Sequence, residues 1–242
     1  MIESIKYKPI WMELEDIIND VPGWSPIDQL YTLFQLAFVT LELQGDIVEI
    51  GSWCGRSALA LGMAAKLTGN TKVHCIDLFP EKKDWEPNSD GSYSFTIRLD
   101  NQILGGHQEQ TVWKEPFEKD ISPLYEHNNS ILEMFNANIE NHQMQDVVIP
   151  FKGNSNTFIQ SLNDDFQCKL VFIDGEHSYS AVSCDIQNME RFLIPGGWMC
   201  FDDAFSTYDG VDCAIEEHII ENADYDICQQ MTRKFFIARK KL

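Results

Sequence analysis

Acidic residues follow two apolar segments that have the composition of buried strands. Asp174 ends the segment that begins at Lys169, and Asp202 and Asp203 follow residues 198–201. If both segments are parallel strands of one sheet, the three carboxylates meet at its carboxyl edge, where unpaired acids repel one another. A divalent cation removes this conflict, and Mg²⁺ prefers oxygen ligands. The sequence therefore predicts a Mg²⁺ site at Asp174, Asp202 and Asp203. The alternative is that one or two of these acids cap the next helix or bind a lysine.

A histidine lies three residues after Asp174, in the same predicted loop. Histidine side chains exchange protons near neutral pH, so His177 is suited to remove a proton from a hydroxyl group. A cation bound beside that hydroxyl lowers the hydroxyl pKa and makes the proton easier to remove. We therefore predict His177 and Asp174 as catalytic residues, with a structural role as the alternative for His177.

A glycine-bearing turn follows the first strand-like segment, residues 46–50. Gly51 and Gly55 let the backbone pass close to a ligand, and a helix of small residues begins near Ser57. The spacing differs from the Gly-x-Gly-x-x-Gly pattern of dinucleotide enzymes. Glu49 stands before the first glycine, where a carboxylate would repel a pyrophosphate. The pattern favours a ligand that carries hydroxyl and ammonium groups.

A second acid lies at the end of the next strand-like segment, residues 72–78. Asp77 follows the glycine turn by somewhat more than 20 residues, which is typical of the acid that binds ribose hydroxyls in nucleotide-binding folds. The alternative is an ordinary acid at a strand end. The sequence favours the ribose-binding role because Asp77 and the glycine turn belong to one βαβ unit.

The charge of the chain argues against polyanionic partners. With 38 acidic and 18 basic side chains the net charge is −20, and such a surface repels phosphate backbones and anionic membranes. No run approaches the roughly 20 apolar residues that a membrane span needs, and the first residues lack a signal-peptide apolar segment. We therefore expect a cytoplasmic protein that binds neither nucleic acid nor membrane. The basic residues near the end, Lys234 among them, are predicted to form a solvated terminus.

Alternating strands and helices must position these residues. From residue 46 onward, apolar strand-like segments alternate with amphipathic helical segments, which requires a mostly parallel, doubly wound sheet. The last two strands, 225–231 and 234–238, are separated by two residues and must pair antiparallel. We predict an α/β fold with seven strands and a C-terminal antiparallel hairpin, in a single domain of residues 1–242.

Two parts of the chain stand outside this alternation. Residues 1–45 are predicted to form a helical cap, whose second helix, residues 27–44, is apolar nearly all round. That helix caps the sheet, closes a pocket or forms the interface of a possible homodimer. Residues 79–130 are longer than a normal connection and rich in aromatic side chains. We predict a lid-like insertion with a short helix at 94–104; the alternative is a surface excursion packed by its own aromatic rings.

These motifs resemble those of class I S-adenosylmethionine (SAM)-dependent methyltransferases. The resemblance extends from about Ile47 to the end of the chain, apart from the insertion, and the closing hairpin is a hallmark of that Rossmann-like fold. Three stretches carry it: Val48-Glu-Ile-Gly-Ser-Trp-Cys-Gly-Arg-Ser57, Val73-His-Cys-Ile-Asp77 and Ile194-Pro-Gly-Gly197.

A narrower resemblance concerns the acids and the histidine. Val171-Phe-Ile-Asp-Gly-Glu-His-Ser-Tyr179 and Gly196-Gly-Trp-Met-Cys-Phe-Asp-Asp203 are similar to metal-dependent O-methyltransferases of the macrocin O-methyltransferase type, which act on sugar hydroxyls of natural products. The resemblance implies Mg²⁺ at the acid trio and a base at His177. Catechol-type enzymes carry an asparagine where this chain has Asp203.

The resemblance also implies how SAM is bound. The turn of residues 51–55 would contact its methionine part, Glu49 would orient it, Asp77 would hold the ribose, and Leu78 with residues 153–155 would flank the adenine. The implied cofactor-binding residues are Glu49, Gly51, Ser52, Trp53, Gly55, Ser57, Asp77, Leu78, Asn154, Ser155 and Asp174.

The implied function is Mg²⁺-dependent transfer of a methyl group from SAM to a hydroxyl of a small molecule, a sugar or glycosylated natural product. Three alternatives stay open: a methyltransferase for another small acceptor such as a catechol-type hydroxyl or an amine, an NAD-dependent oxidoreductase, and a catalytically silent cofactor-binding protein. The glycine spacing and the closing hairpin argue against the oxidoreductase. The intact acid trio argues against the silent protein.

Overall fold

A computed structural model describes residues 8–99, 102–105 and 111–242. Short π-helical turns, Phe117–Ile121 and Glu216–Ile220, continue two of the helices. The helices of the described residues are α1 (Ile10–Asp20), α2 (Ile27–Val39), α3 (Arg56–Thr68), α4 (Lys114–Pro116), α5 (Ile131–Asn141), α6 (Ser155–Ser161), α7 (Tyr179–Glu190) and α8 (Asp209–Ile215). The strands are β1 (Asp46–Ile50), β2 (Val73–Asp77), β3 (Trp85–Pro87), β4 (Tyr93–Leu99), β5 (Gln102–Gly105), β6 (Val148–Lys152), β7 (Cys168–Ile173), β8 (Leu193–Phe201), β9 (Tyr225–Gln230) and β10 (Phe236–Lys240).

The main sheet has seven strands in the order β6-β2-β1-β7-β8-β10-β9. The first five are parallel, and β10 runs antiparallel to both β8 and β9. The predicted mostly parallel sheet with a C-terminal antiparallel hairpin is therefore confirmed. The chain winds outward from β1 to β2 and β6 and then returns to β7, so the order reverses between β1 and β7. Such a reversal opens a crevice at the carboxyl ends of the strands.

Helices cover both faces of this sheet. In β7, Leu170 and Phe172 point into a core shared with α1, α2, α3 and α5, whereas Val171 and Ile173 point into a second core shared with α6, α7 and α8. Every residue of β7 is buried, as expected for a central parallel strand covered on both faces. The carboxyl ends of the central strands β1, β7 and β8 are therefore buried between the two cores.

The N-terminal cap lies on α3. The second cap helix ends at Val39, five residues earlier than predicted, because the chain turns at Thr40, whose hydroxyl donates to the carbonyl of Ala37 at 2.9 Å. Its buried side chains, Leu30 and Leu33 among them, join the core that contains α3. The homodimer stays a prediction.

The insertion contains a small antiparallel sheet, β3-β4-β5. The predicted helix at 94–104 is wrong. Phe95 and Ile97 of β4 are buried whereas Thr96 and Arg98 are exposed, and this two-residue period is typical of a strand with one covered face. Trp85 packs on Phe95 with ring centroids 5.0 Å apart. No helix among the described residues is long and apolar enough to cross a membrane.

Candidate active site

The turn after β1 is held in a conformation that glycine makes possible. Gly51 and Gly55 adopt φ values of +90° and +93°. A Cβ atom at Gly51 would lie only 1.9 Å from the carbonyl oxygen of Asp174. The loops after β1 and β7 are thus in backbone contact at the crevice, and only a residue without a side chain fits between them.

Asp77 ties this turn to the end of β2. Its Oδ2 accepts a hydrogen bond from the Trp53 main-chain N–H at 2.9 Å, and its Oδ1 accepts one from the Phe79 N–H at 2.6 Å. Burial raises the pKa of Asp77, and the main-chain donors offset part of that rise. Because a carboxylate has four lone pairs, both oxygens keep acceptor capacity for hydroxyl groups of a ligand.

Glu49 is fully buried in the middle of the sheet. Burial raises its pKa to about 6, although the hydroxyls of Ser52 and Ser57 favour the charged form. No hydrogen bond of standard geometry from the described residues reaches either carboxylate oxygen. A buried acid without a full set of donors is costly, which indicates that Glu49 serves a ligand or the turn rather than stability.

The turn after β6 forms a third wall. The side chain of Asn154 caps α6 by accepting from the Thr157 N–H at 3.0 Å. The hydroxyl of Ser155 accepts from the Asn188 side chain at 2.9 Å. Asp185 of α7 lies nearby, and burial raises its pKa to about 7. Asn154 and Ser155 therefore face the crevice from a rigid helix start.

The three acids lie close together at the carboxyl edge of the sheet, as predicted. Ligand atoms from Asp174, Asp202 and Asp203 all lie within 4.8 Å of one another. Burial and the neighbouring carboxylate of Asp202 raise the pKa of Asp174 well above its usual range. Lys234 also enters the cluster, with its Nζ 2.8 Å from Asp202 Oδ2 and 3.4 Å from Asp203 Oδ1.

The trio fits a divalent cation by the chemistry of its donors. All three groups are carboxylates, and Oδ1 of Asp202 is buried without a hydrogen-bond donor among the described residues. A hard cation binds such oxygens and relieves the repulsion between the acids. One positive charge from Lys234 leaves the three carboxylates only partly neutralised.

His177 lies beside the trio. Its Nε2 is 3.0 Å from Oδ2 of Asp203, and its ring stacks on Tyr208 with centroids 4.0 Å apart. Burial alone would raise the pKa of Asp203, but the hydrogen bond with His177 and the charge of Lys234 lower it. A carboxylate that engages one ring nitrogen orients the imidazole and directs its other nitrogen elsewhere.

One cavity of about 660 Å³ joins most of these groups. Glu49 and Gly55 do not line it; they stand behind the turn. The predicted site residues that line the cavity are Gly51, Ser52, Trp53, Ser57, Asp77, Leu78, Asn154, Ser155, Asp174, His177, Asp202 and Asp203. Their individual roles stay predictions.

Several lining residues were missed by sequence reasoning. Lys234 was predicted to belong to a solvated terminus, but its ammonium group contacts Asp202 of the acid trio. Tyr208 and Asp185 gave no signal because their neighbours in sequence do not mark a site. Trp24 of the cap packs against Trp53 at 5.7 Å. For Lys234 the one available signal was its place in the closing hairpin, beside the carboxyl edge.

Arg56 connects the cap to the glycine turn. Its guanidinium donates to the carbonyls of Val21 at 2.8 Å, Ile18 at 3.2 Å and Ser25 at 3.4 Å. The first two of these carbonyls belong to the last turn of α1 and the residue after it, where a positive charge is favourable. Arg56 thereby holds the segment that contains Trp24 against the cavity.

Comparisons with known proteins agree with this fold. Residues 48–204, more than half of the chain, match a family model described as a methyltransferase domain. The O-methyltransferase NovP is similar in structure at 15% identity and a TM-score of 0.60, covering 89% of this chain and 81% of its own. An O-methyltransferase from Bacillus cereus in complex with SAH has 14% identity and a TM-score of 0.57, over 99% and 94% of the two chains. TomG from Streptomyces achromogenes, an O-methyltransferase involved in tomaymycin synthesis and solved with SAM, has 13% identity and a TM-score of 0.56, over 99% and 92%.

Proposed function

The chain belongs to the family of methyltransferase domains, and from this premise we propose that it transfers a methyl group from SAM to a hydroxyl of a small molecule. The observation that carries the proposal is that one cavity is shared by the glycine turn and Asp77 on one wall and by the acid trio with His177 on another. Methyl transfer is an in-line displacement, so it depends on alignment of two bound reactants rather than on a covalent intermediate. A shared cavity of this size provides that alignment.

The donor part of the site consists of the turn after β1, Asp77 at the end of β2 and the turn after β6. The turn after β1 would receive the methionine part, and Glu49, which is fully buried behind that turn, would help to orient it through the turn. Both oxygens of Asp77 would accept ribose hydroxyls, and Leu78 with Asn154 and Ser155 would enclose the adenine. When bound, SAM supplies the electrophilic methyl group.

The acceptor hydroxyl would lie between His177 and the acid trio. Asp203 contacts Nε2 of His177, whereas Nδ1 is buried without a hydrogen-bond partner among the described residues. Nε2 would therefore exchange its contact with Asp203 for the acceptor hydroxyl and take the hydroxyl proton. Asp174, Asp202 and Asp203 would hold Mg²⁺ or a similar cation, which supplies positive charge that lowers the pKa of the acceptor hydroxyl. The base must act before or during methyl transfer, because a neutral hydroxyl is a poor nucleophile.

The residues that line the cavity limit which classes of acceptor it can bind. The insertion contributes Trp85, Phe95 and Val112, and the cap contributes Trp24. Against this aromatic wall a sugar ring or another flat apolar face packs well. The carboxylates at the other end disfavour anionic acceptors. We therefore propose a neutral or cationic natural product, and a sugar hydroxyl as the first choice; the synthesis role named for TomG supports the natural-product class.

The direct test has two parts. Calorimetry with SAH should show micromolar or tighter binding, and labelled SAM should transfer its methyl group to members of a panel of sugars, glycosides, catechols and amines. Transfer confined to catechols or amines would replace the sugar proposal. No binding of SAH would refute the function, and binding of NADH in its place would indicate an oxidoreductase.

Metal dependence needs a separate test. EDTA should abolish transfer and Mg²⁺ should restore it, and Asp202→Asn should lose activity while Asp226→Asn, which affects an acid paired with Arg239 on β10, should not. Activity that persists in EDTA would remove the metal from the proposal and leave methyl transfer in place.

A further inference from the structure

The ammonium group of Lys234 occupies oxygens that a divalent cation would need. Its Nζ lies 2.8 Å from Asp202 Oδ2, and the side chains of Lys234 and Asp202 are 24% and 3% exposed. The second contact, 3.4 Å, is with Oδ1 of Asp203. Burial alone would lower the pKa of Lys234, but the attraction of Asp202 and the other acids raises it. Lys234 is thus a charged internal partner of the trio.

The backbone keeps Lys234 beside the acids. Its carbonyl accepts from the N–H of Ala204 at 2.9 Å, directly after Asp203, and the hairpin turn is closed by a bond from the Met231 N–H to the Phe235 carbonyl at 2.8 Å. The Gln230 side chain adds bonds to the carbonyls of Ala204 and Thr232. The ammonium can move on its four-carbon chain, but its attachment point cannot leave the site.

The Lys234 ammonium and a divalent ion compete for the same carboxylate oxygens. Asp202 Oδ2 is engaged by Lys234, while Asp202 Oδ1 has no donor among the described residues. A divalent ion that binds the trio must either displace the ammonium or stand close to it, and like charges about 4 Å apart repel appreciably even near a protein surface. Either event reduces the affinity of the site for the ion.

We propose that Lys234 is a built-in competitor for the divalent cation, which weakens cation binding to Asp174, Asp202 and Asp203. This inference rests on the metal-binding part of the proposed function and not on methyl transfer itself. Lys234 acts through the carboxylates, so it is a positioning residue. It neutralises part of the charge of the trio and raises the cation concentration that is needed to fill the site.

The test measures cation binding in the full-length protein without SAM or acceptor. Mn²⁺ serves as the probe, and free Mn²⁺ is followed by electron paramagnetic resonance. Lys234→Met keeps the length of the side chain and removes its charge. We expect it to bind Mn²⁺ about tenfold tighter or more, as loss of a nearby positive charge predicts. Lys234→Arg should bind no more tightly than the wild type.

Lys66→Met is the matched control, since it removes one positive charge from an exposed site where Lys66 bonds the Gln143 carbonyl. It should leave Mn²⁺ affinity unchanged. Equal or weaker binding by Lys234→Met, with a melting curve that shows a folded protein, would overturn the inference. Absence of Mn²⁺ binding in every variant would also overturn it. Neither result touches SAH binding or methyl transfer, which test the proposed function separately.

Discussion

The main-chain N–H of Trp53 donates a hydrogen bond of 2.9 Å to Oδ2 of Asp77, 24 residues further along the chain. Trp53 has a φ of +44°, a conformation that non-glycine residues seldom adopt. Asp77 therefore stabilises the turn after β1 besides offering its remaining lone pairs to a ligand. The proposed methionine and ribose subsites are coupled through one carboxylate.

Replacement of Asp77 should weaken cofactor binding through both effects. Asp77→Ala removes a charged acceptor of two main-chain hydrogen bonds, each worth about 1.5–3 kcal/mol. We expect the affinity for SAH to fall at least about tenfold to a hundredfold, measured by calorimetry. Asp226→Ala is the control. Unchanged affinity in Asp77→Ala would contradict the placement of the ribose.

The close approach of Gly51 and Asp174 predicts a severe effect of a single methyl group. Gly51→Ala combines a φ of +90° with a clash of Cβ against a backbone carbonyl, so unfolding in urea should show a loss of more than about 2 kcal/mol. Gly69→Ala is a matched control, because Gly69 has a φ of +73° and no atom within 4 Å of its added Cβ. It should cost only about 1 kcal/mol. Equal losses would show that the loops can separate.

The buried carboxyl group of Glu49 should make the free energy of unfolding depend on pH. Burial raises its pKa to about 6 from 4.5, so between these pH values the folded protein holds a proton that the unfolded chain releases. Stability contributed by Glu49 is therefore present below pH 4.5 and is lost as pH rises through 6. At pH 7, Glu49→Gln without ligand should be more stable by about 2 kcal/mol.

Urea unfolding of Glu49→Gln and wild type at pH 4.5 and pH 7 measures this difference, with the exposed Glu221→Gln as control. The same variant should bind SAH more weakly, since the buried carboxylate behind the donor-binding turn is gone. A variant that gains no stability at pH 7 would show that the carboxylate is satisfied inside the fold.

The hydrogen bonds of Arg56 should position the N-terminal cap against the cavity. Arg56→Ala removes three hydrogen bonds to carbonyls of the cap and should destabilise the fold by about 2 kcal/mol. It should also change tryptophan fluorescence, because Trp24 and Trp53 would separate. Arg191→Ala, which removes a guanidinium that lies over Phe192, is the control. An unchanged emission spectrum and SAH affinity in Arg56→Ala would mean that the cap holds itself in place.

Replacement of His177 should reduce turnover without reducing cofactor binding. If it takes the acceptor proton, His177→Gln should reduce kcat by about 10²–10⁴ while SAH affinity stays unchanged. Steady-state kinetics with the best acceptor of the panel measures this, and the exposed His127→Gln should behave as wild type. A change confined to KM would assign His177 to acceptor binding instead.

The placement of the residues around the glycine turn could be predicted from the sequence because its signals are local. Gly51, Glu49 and Asp77 lie within one βαβ unit, and the position of each follows from the ends of short apolar strands. The insertion was harder. The alternation of Phe95 and Ile97 with Thr96 and Arg98 indicates a strand, and Asp90-Gly91 before it is a turn signal. The predicted helix at 94–104 did not use this two-residue period.

Outside the insertion, the sequence by itself determined the order of strands and helices along the chain, the closing hairpin and the placement of three acids at strand ends, since periodicity, glycine turns and strand lengths are properties of neighbouring residues. Only the tertiary structure decided which distant side chains share the site. Lys234 reaches Asp202 from 32 residues away, and Arg56 reaches Val21 from 35. Such contacts depend on how β10 and the cap pack against the carboxyl edge, and a basic residue in a turn gives no local sign that an acidic cluster lies within reach of its side chain.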